Sequence, residues 1–447
     1  MHLYVKNFAK IVEADVDFNG ITVIGGENNT GKSTVGKILY TVFHSMRNID
    51  RKIKEDRYNT INRIIRKYEI LSRVNCRVVR TGVVDDSISG LIECVEVAKN
   101  QGEDIAKSIY LYLSQEIIDN PIFPDAEGIT SFESPDFSIF VDQLVETVEL
   151  SNEEIRETLI RRNFEAEFHG QINQLGGPKK NNIARVIITF DDEEDNSLGK
   201  DENDKIEVTV SNNRIKVCTG DVKITTPTVY LDDPFLLNRL DKITGSYEDL
   251  NEASDHSTNL IQALIRSQLT NSVTEETVIR KKLHRVFERL EEAIGGDFVA
   301  EKKARGFIEK GLNKPLRFSN LSTGIKTFLI FEILLLNGEI SEGSILILDE
   351  PEVHLHPAWQ LIFAEVVVLL QEELNLRVFL TTHSPYFLRA IEVYSAKHEI
   401  ADRCTFYMAD FVDNEIILKD VTTNTDAIYK KLVEPFAKLD EVQYGDE

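Results

Sequence analysis

The segment Gly26-Glu-Asn-Asn-Thr-Gly-Lys-Ser33 has the residue types and spacing of a phosphate-binding loop, G-x-x-x-x-G-K-[ST]. Glycines let the backbone approach phosphate, so that successive N–H groups and a helix N-terminus face the anion. The lysine would reach the β and γ phosphates, and the following hydroxyl would bind Mg²⁺. The alternative is a glycine turn before a helix. The predicted nucleotide-binding residues are Gly26, Asn28, Asn29, Thr30, Gly31, Lys32, Ser33 and Thr34.

Two carboxylates, Asp349 and Glu350, end the apolar run at 345–348. A buried strand has little reason to end on paired acids unless a cation or a proton transfer requires them. Asp349 is predicted to hold Mg²⁺ together with Ser33, and Glu350 to polarise the attacking water as general base. Alone, the pair would also fit an ordinary strand-to-loop exit, but the upstream phosphate loop favours the catalytic interpretation.

The sequence Asn-Leu-Ser-Thr-Gly-Ile-Lys at 320–326 precedes an apolar helix. Ser322 fits a helix N-cap. It fits equally well a phosphate site in which Ser322, the Gly324 backbone and the helix N-terminus present donors. Both interpretations stay open at this stage.

Three histidines lie close to these motifs. His383, in Thr-Thr-His-Ser-Pro, ends a strand, at the edge where ligands bind in α/β sheets. A structural histidine is the alternative there. His354 and His356 are predicted to pack in a loop rather than bind metal, because no third and fourth ligand occur nearby.

The elements that must position these residues alternate between strand and helix near both ends of the chain. Strand patterns occupy 3–8, 14–18 and 21–25, and a helical pattern starts at Thr34. Residues 47–175 are mostly helical in character. A strand pair at 184–190 and 205–217 and a buried strand at 226–231 follow, and then helical periodicity over 251–293. From 297 onward, the alternation of strand and helix predicts an α/β core with a parallel sheet.

The topology implies a split domain, because the phosphate loop lies near the start of the chain while the other strands and helices of the α/β core follow residue 300. The predicted parts are an N-terminal core segment at 1–45, a mainly helical insertion at 46–180, a β-subdomain at 181–235, a helical segment at 236–296 and a C-terminal core segment at 297–447.

Composition narrows the function classes. The chain has 447 residues and a formal net charge of −24, with 42% hydrophobic residues. It is therefore expected to fold, and any nucleic-acid site must be a local patch. The longest apolar run, FLIFEILLL, is interrupted by Glu332, so no membrane span is expected. The first residues lack a secretory pattern. The four cysteines show no C-x-x-C spacing and fit core thiols, so a cytoplasmic location is expected.

One segment is basic in this acidic chain. Residues 47–80 contain eleven Lys and Arg against four acids. A solvated helix face is one interpretation, and contact with DNA, RNA or an acidic partner is the other. The candidate contact residues are Arg51, Lys52, Arg63, Arg66, Lys67 and Arg73.

The four motifs GENNTGKS, LSTGIK, ILILDEPEVHLHP and TTHSP, in this order, resemble those of the ABC-type ATPases of the SMC, RecF and OLD group. The motif sequences are most similar to those of the OLD-like and RecF-like "AAA" ATPases of prokaryotic anti-phage systems, such as Septu-type ATPase subunits. The resemblance covers roughly 1–45 and 295–425. It implies an ABC-type P-loop head with a mixed sheet, an antiparallel β-subdomain and helices on both faces.

The resemblance also implies a mechanism. Two heads would sandwich two ATP molecules with Mg²⁺, in a homodimer or a higher even oligomer. Ser322, Thr323 and Gly324 of one head would complete the site that Lys32, Ser33, Asp349, Glu350 and His383 form in the other. A separate effector, such as a nuclease or toxin, would act with it, DNA is a further candidate partner, and no membrane is involved.

The sequence departs from the family pattern at several positions. Thr323 stands where glycine is common, and Ile325-Lys326 where Gly-Gln is common. No Q-loop is evident; Gln171 is a candidate, with a surface glutamine as the alternative. No D-x-D motif follows Glu392, so a Toprim nuclease is not expected, and sustained heptads are absent. The alternatives are a RecF-like genome-maintenance ATPase, a transporter nucleotide-binding subunit and a non-hydrolysing ATP-gated scaffold.

Overall fold

The computed structural model describes residues 1–71, 81–109, 111–112, 135–173, 183–190, 205–211, 214–219, 222–242, 254–270, 273–301, 304–412 and 415–444. The chain divides into two compact units. One unit combines Met1–Arg47 with Leu159–Glu447, so it contains both ends of the chain. The other is Asn48–Thr158, which is shorter than the insertion predicted at 46–180.

Eleven strands of the described chain form one sheet in the larger unit, in the order β6-β5-β4-β1-β2-β13-β12-β3-β11-β10-β7. A separate hairpin pairs β8 with β9. The strands are β1 (His2–Phe8), β2 (Ile11–Asp17), β3 (Ile21–Gly26), β4 (Ile183–Thr189), β5 (Lys205–Ser211), β6 (Arg214–Thr219), β7 (Thr228–Leu231), β8 (Gly296–Glu301), β9 (Ala304–Glu309), β10 (Ile345–Asp349), β11 (Arg377–Thr382), β12 (Cys404–Val412) and β13 (Glu415–Asp420).

The helices of the described residues are α1 (Lys32–Met46), α2 (Ile49–Leu71), α3 (Thr81–Gln101), α4 (Pro135–Glu149), α5 (Asn152–Phe168), α6 (His256–Thr270), α7 (Val273–Lys282), α8 (His284–Ile294), α9 (Thr323–Leu336), α10 (Pro357–Leu374), α11 (Pro385–Lys397) and α12 (Asp426–Tyr444). A 3₁₀ segment, Pro234–Lys242, follows β7.

The strands β12, β3, β11, β10 and β7 pair with one another in parallel, while β12 pairs antiparallel with β13 on its other side. All six residues of β3 are buried, as expected for a parallel strand covered on both faces. The carboxyl ends of these parallel strands meet at one edge of the sheet. At this edge the phosphate loop follows β3, Asp349 ends β10, and His383 follows β11. The mixed α/β fold predicted from the sequence is confirmed, and this edge positions the candidate site.

The other half of the sheet is mainly antiparallel, through the pairs β1–β2, β1–β4, β4–β5 and β5–β6. Buried and more exposed residues alternate along β4 and β5, so one face packs on the core. The predicted pair at 184–190 and 205–217 is in fact three strands, because the second segment forms β5 and β6. The two residues between them, 212–213, lie outside the described part of the chain.

The apolar run FLIFEILLL forms most of α9, whose phenylalanines Phe328 and Phe331 pack against Phe363 of α10. Glu332, only 6% exposed, accepts a hydrogen bond from Arg280 Nη2 at 2.8 Å. The run is therefore a buried core helix. No helix in the described ranges is long and apolar enough to cross a membrane.

The unit Asn48–Thr158 contains α2, α3 and α4. Its hydrophobic core includes Ile61 of α2, Leu91 of α3, and Phe140 and Leu144 of α4. The sequence prediction of a helical segment is consistent with these helices. Of the basic side chains that the structure describes on α2, Arg51, Lys54, Arg63 and Lys67 are exposed, and Lys52 and Arg57 are partly buried.

Candidate functional site

The loop between β3 and α1 is shaped by two glycines with positive φ. Gly26 has φ 153°, and a Cβ there would lie 2.6 Å from the Ala409 carbonyl oxygen, so a larger residue would collide with backbone. Gly31 has φ 74° and caps α1. Thr30 Oγ1 donates to the Glu27 carbonyl at 2.7 Å, which closes the loop. The predicted phosphate-binding residues therefore lie on a strand–loop–helix unit, as their spacing indicated.

Lys32, the first residue of α1, is only 3% exposed. Its Nζ donates to the carbonyl oxygens of Gly26 at 3.1 Å and Glu27 at 2.6 Å. Burial lowers the pKa of Lys32, and the carboxylates of Glu350 and Asp349 oppose that shift. A lysine held inside such a loop is placed to contact a phosphate group.

Asp349 ends β10 and receives three hydrogen bonds. Its Oδ1 accepts from Ser33 Oγ at 3.0 Å and from Thr381 Oγ1 at 2.5 Å, and its Oδ2 accepts from Tyr230 Oη at 2.9 Å. Ser33 and Asp349 are 316 residues apart in the chain. The structure thus brings together the two residues that the sequence analysis assigned to a metal ion.

The residues at this point fit Mg²⁺. A hydroxyl and a carboxylate are hard oxygen ligands, and Mg²⁺ in phosphate-transfer sites takes few protein ligands, with water and phosphate oxygens supplying the others. In the described ranges, no group of three or more His, Cys, Asp and Glu could hold a metal ion. Ser33 and Asp349 are therefore a partial ligand set of the kind that a nucleotide phosphate would complete.

Glu350 follows directly and adopts a left-handed backbone conformation, with φ 51°. Its N–H donates to Thr381 Oγ1 at 3.0 Å, which fixes this strained turn. Its Oε2 lies 2.6 Å from His383 Nε2, and His383 Nδ1 lies 3.2 Å from the Gly26 carbonyl oxygen. The hydrogen bond lowers the pKa of Glu350 and raises the pKa of His383. His383 therefore connects the phosphate loop with the predicted general base.

Glu352 was not singled out from the sequence. It is 5% exposed, and its Oε1 accepts from Thr382 Oγ1 at 2.5 Å, His383 N at 2.9 Å and Ser384 N at 3.2 Å. Burial raises the pKa of this carboxyl, and these hydrogen bonds oppose the shift. The side chain joins the turn after β10 to the loop after β11, so it supports the position of His383.

Tyr230 was also missed. It lies on β7, next to β10 in parallel register, and is 1% exposed. Burial raises the pKa of its phenol well above the usual range. The signal that could have identified it is the sequence Thr-Val-Tyr-Leu-Asp-Asp, a buried strand ending in polar residues like the other strands of this edge.

A buried ionic cluster lies beside Tyr230. His256 Nδ1 is 2.7 Å from Glu167 Oε1, and His256 Nε2 is 2.9 Å from Asp232 Oδ2. Lys37 Nζ is 3.3 Å from the same Glu167 oxygen. Burial lowers the pKa of His256, but the hydrogen bonds to Asp232 and Glu167 outweigh it and raise the pKa to about 9. Two cations and two carboxylates therefore offset each other next to the candidate site.

Ser322, Thr323 and Gly324 lie at the start of α9. Ser322 is exposed and caps the helix, accepting from Ile325 N at 3.4 Å. A Cβ on Gly324 would lie 2.4 Å from the Trp359 ring. Among the described hydrogen bonds, none joins these three residues to the phosphate loop, Asp349 or His383. The N-cap interpretation is correct, and the phosphate contact in trans stays a prediction.

The remaining predicted residues lie apart from this cluster. Gln171 is exposed in the turn after α5, where its N–H donates to the Phe168 carbonyl at 2.9 Å. The ring of His354 packs on Phe235 at 5.4 Å, and His356 caps α10.

The basic residues of α2 are described in part. Arg51, Arg63 and Lys67 are exposed, and Arg51 pairs with Glu55 at 3.2 Å. Lys52 is partly buried. The Arg66 side chain and the whole of Arg73 lie outside the described residues. These positions leave both interpretations of the basic segment open.

Comparisons with known proteins point to one family. A family model described as "AAA domain, putative AbiEii toxin, Type IV TA system" matches residues 148–389, which include Ser322, Asp349, Glu350 and His383. No curated protein matches the chain.

Solved structures similar to the chain include SMC heads. An SmcHead bound to the C-winged helix domain of ScpA is 11% identical, with a TM-score of 0.42, covering 95% of this chain and 98% of that one. An SMC head domain from Thermotoga maritima is 10% identical, with a TM-score of 0.38, covering 94% and 98%. An Smc head with an extended coiled coil, bound to the C-terminal domain of ScpA derived from Pyrococcus furiosus, is 11% identical, with a TM-score of 0.41, covering 97% and 98%.

These structural likenesses are distant, so the assignment depends on the family model and on the arrangement of the motifs. The family model spans more than half of the chain. The chain therefore belongs to this AAA-domain family, and its fold is a mixed α/β fold with a phosphate loop after the parallel strand β3.

Proposed function

We propose that the larger unit binds ATP with Mg²⁺ and hydrolyses it to ADP and phosphate. The observation that carries this proposal is the meeting of Lys32, Ser33, Asp349, Glu350 and His383 at one edge of the sheet. They come from three separate segments of the chain, and a structural role alone would not require a lysine, a hydroxyl, two carboxylates and a histidine together.

Each residue has a role that its surroundings support. Lys32 would place its charge on the β and γ phosphates, and the loop N–H groups and the N-terminus of α1 would face the phosphate oxygens. Ser33 and Asp349 would hold Mg²⁺, which supplies charge neutralisation at the phosphate oxygens when bound. Glu350 would accept the proton of the attacking water.

The Glu350–His383 contact supports the role of the base. A carboxylate must be ionised to accept a proton, and the hydrogen bond from His383 lowers the pKa of Glu350. His383 also keeps the carboxylate beside the phosphate loop through its 3.2 Å contact with the Gly26 carbonyl oxygen. His383 is therefore proposed to orient the base.

The proposal extends to a nucleotide sandwich of two heads. Ser322 is exposed at the N-terminus of a fourteen-residue helix, α9, and no described hydrogen bond joins it to the residues proposed to bind phosphate in the same head. A second copy could therefore meet Ser322, Thr323 and Gly324 with its own nucleotide. The expected assembly is a homodimer or a higher even oligomer that forms with ATP.

For the biological role we propose a sensor or motor of a prokaryotic anti-phage system that acts with a separate effector. The motif sequences resemble those of OLD-like ATPases, and the description of the matching family names an AbiEii toxin and a type IV TA system. A RecF-like genome-maintenance ATPase is the second candidate, which the exposed basic residues of α2 favour.

The first test is steady-state ATPase turnover with Mg²⁺, with and without double-stranded DNA, at two salt concentrations. Lys32→Ala should abolish ATP binding, and retained micromolar affinity would contradict the phosphate-loop assignment. Glu350→Gln should bind ATP, lose turnover and accumulate as a closed dimer in size-exclusion chromatography. A Glu350→Gln protein that stays monomeric in excess ATP would contradict the sandwich, and one with wild-type turnover would contradict the role of the base.

A further inference from the structure

Both oxygens of the Asp349 carboxylate receive hydrogen bonds from protein hydroxyls. Ser33 and Thr381 donate to Oδ1, at 3.0 and 2.5 Å, and Tyr230 donates to Oδ2 at 2.9 Å. Of these three donors, Tyr230 is the one that binds the second oxygen, and together with the two bonds to Oδ1 it limits rotation of the carboxylate about the Cβ–Cγ bond.

The ring of Tyr230 has little freedom. It lies on β7 opposite Ile347 of β10, and its centroid is 4.5 Å from the ring of His256 and 5.9 Å from that of Tyr40. A Cβ added to Gly36 of α1 would lie 3.3 Å from Tyr230 Cε2, so the helix also closes on the ring. These contacts hold the hydroxyl at one place relative to Asp349.

The ionic cluster of Glu167, His256, Asp232 and Lys37 secures this arrangement. His256 is held on both ring nitrogens, at 2.7 and 2.9 Å, so the imidazole against which Tyr230 packs cannot rotate freely. The chain of contacts therefore runs from Glu167 of α5 and Asp232, the residue after β7, through His256 and Tyr230 to the Asp349 carboxylate.

We propose that Tyr230 is a positioning residue for the Asp349 carboxylate and thereby tunes the response of nucleotide binding to Mg²⁺. The inference rests on the proposed function of the site. Groups that hydrogen-bond a metal ligand orient it, and losing one typically weakens metal affinity about 10- to 100-fold. Without the Tyr230 hydroxyl, only the two bonds to Oδ1 still orient the carboxylate, so Oδ2 is held less firmly.

The experiment compares the affinity for a fluorescent ATP analogue in Mg²⁺ and in EDTA. In EDTA, Tyr230→Phe should bind the analogue as tightly as wild type. The increase in affinity on adding Mg²⁺, called the Mg²⁺ gain, should be about tenfold smaller than in wild type. The Mg²⁺ concentration for half-maximal turnover should rise by a similar factor. Tyr429→Phe is the matched control, because Tyr429 also donates to a carboxylate, Glu392 Oε2, at 2.7 Å, but on α12. It should leave the Mg²⁺ gain unchanged.

Thr381→Val serves as a second variant, because it removes another donor to the same carboxylate without touching the Tyr230 ring. It should also reduce the Mg²⁺ gain. Unchanged Mg²⁺ responses in Tyr230→Phe, with a responsive wild type, would overturn the positioning role alone. If the nucleotide affinity of the wild-type protein is the same in Mg²⁺ and in EDTA, both the positioning role of Tyr230 and the proposed function are overturned.

Discussion

The buried histidine His256 is expected to make the stability of the larger unit depend on pH. Its two ring nitrogens lie 2.7 Å from Glu167 and 2.9 Å from Asp232. These carboxylates raise the pKa of His256 from the usual 6.5 to about 9. A group whose pKa is raised by folding stabilises the protein fully below its unfolded pKa, and this stabilisation is lost as the pH rises through the folded value.

The magnitude follows from the shift. At about 1.4 kcal/mol for each pKa unit, the protonated histidine contributes about 3 kcal/mol. The free energy of unfolding should therefore fall by about 1.4 kcal/mol per pH unit between roughly pH 7 and 9. His256→Gln leaves Glu167 and Asp232 without this cation, so the variant should be less stable at pH 7 by about 3 kcal/mol. The deficit should shrink towards pH 9.5.

The assay is urea unfolding followed by fluorescence, because the chain has one tryptophan, Trp359, on α10 of the same unit. Free energies of wild type and His256→Gln would be compared from about pH 6.5 to 9.5. His284→Gln is the control, since His284 is exposed and lies 3.5 Å from Glu288. Parallel stability curves for wild type and His256→Gln would refute the reasoning.

Three further predictions test the surroundings of the site. Glu352→Gln should keep turnover within about twofold. Burial raises the pKa of Glu352, so wild type loses stability as this carboxyl ionises, and the free energy of unfolding of the variant relative to wild type should increase as the pH rises. Glu352→Ala should lower turnover, because Thr382 Oγ1 and His383 N lose this acceptor and Ser384 N keeps only its bond to Thr382 Oγ1; a Gln variant as inactive as the Ala variant would contradict this. Gly324→Ala should cost about 1–3 kcal/mol and shift Trp359 emission, because its Cβ would meet the ring; an unchanged spectrum and urea midpoint would contradict it. Arg63→Glu with Lys67→Glu should abolish any DNA stimulation of turnover without changing the DNA-free rate, and retained stimulation would place the contact elsewhere.

The motif residues could be predicted because each motif is local. A glycine loop between a strand and a helix, or a strand that ends in Asp349 and Glu350, is visible in a few consecutive residues. Parallel strands then bring their carboxyl ends to one edge, so the meeting of Ser33 and Asp349 follows from fold class. The sequence around Tyr230 indicates a buried strand with a polar end, but the contact of Tyr230 with Asp349 could not be predicted, because it depends on β7 lying next to β10, and residue spacing does not give strand order.

The same limit applies to the boundaries of segments. The predicted strand at 205–217 combines β5 and β6, because both alternate in the same way and only a two-residue connection separates them. Glu352 could not be assigned a role from the sequence, because its hydrogen-bond partners lie at the end of β11 and in the loop after it. The catalytic role was also assigned to the nearby acidic residue Glu350. Long-range contacts, rather than local pattern, assign these roles.

The position of β3 between β11 and β12 has a consequence for how the protein is made. The carbonyl of Gly26 and the ring of His383 that meet at the site are 357 residues apart. A ribosome adding about 5–20 residues per second needs roughly 20–70 seconds to bridge that gap. Until then β3, apolar along nearly its whole length, has neither of its neighbouring strands. Non-local pairing of this kind slows folding and exposes strand edges. The nascent β3 therefore exposes unpaired strand edges that a chaperone would protect, and translation stopped before β11 would leave a polypeptide without His383 and so without the complete candidate site.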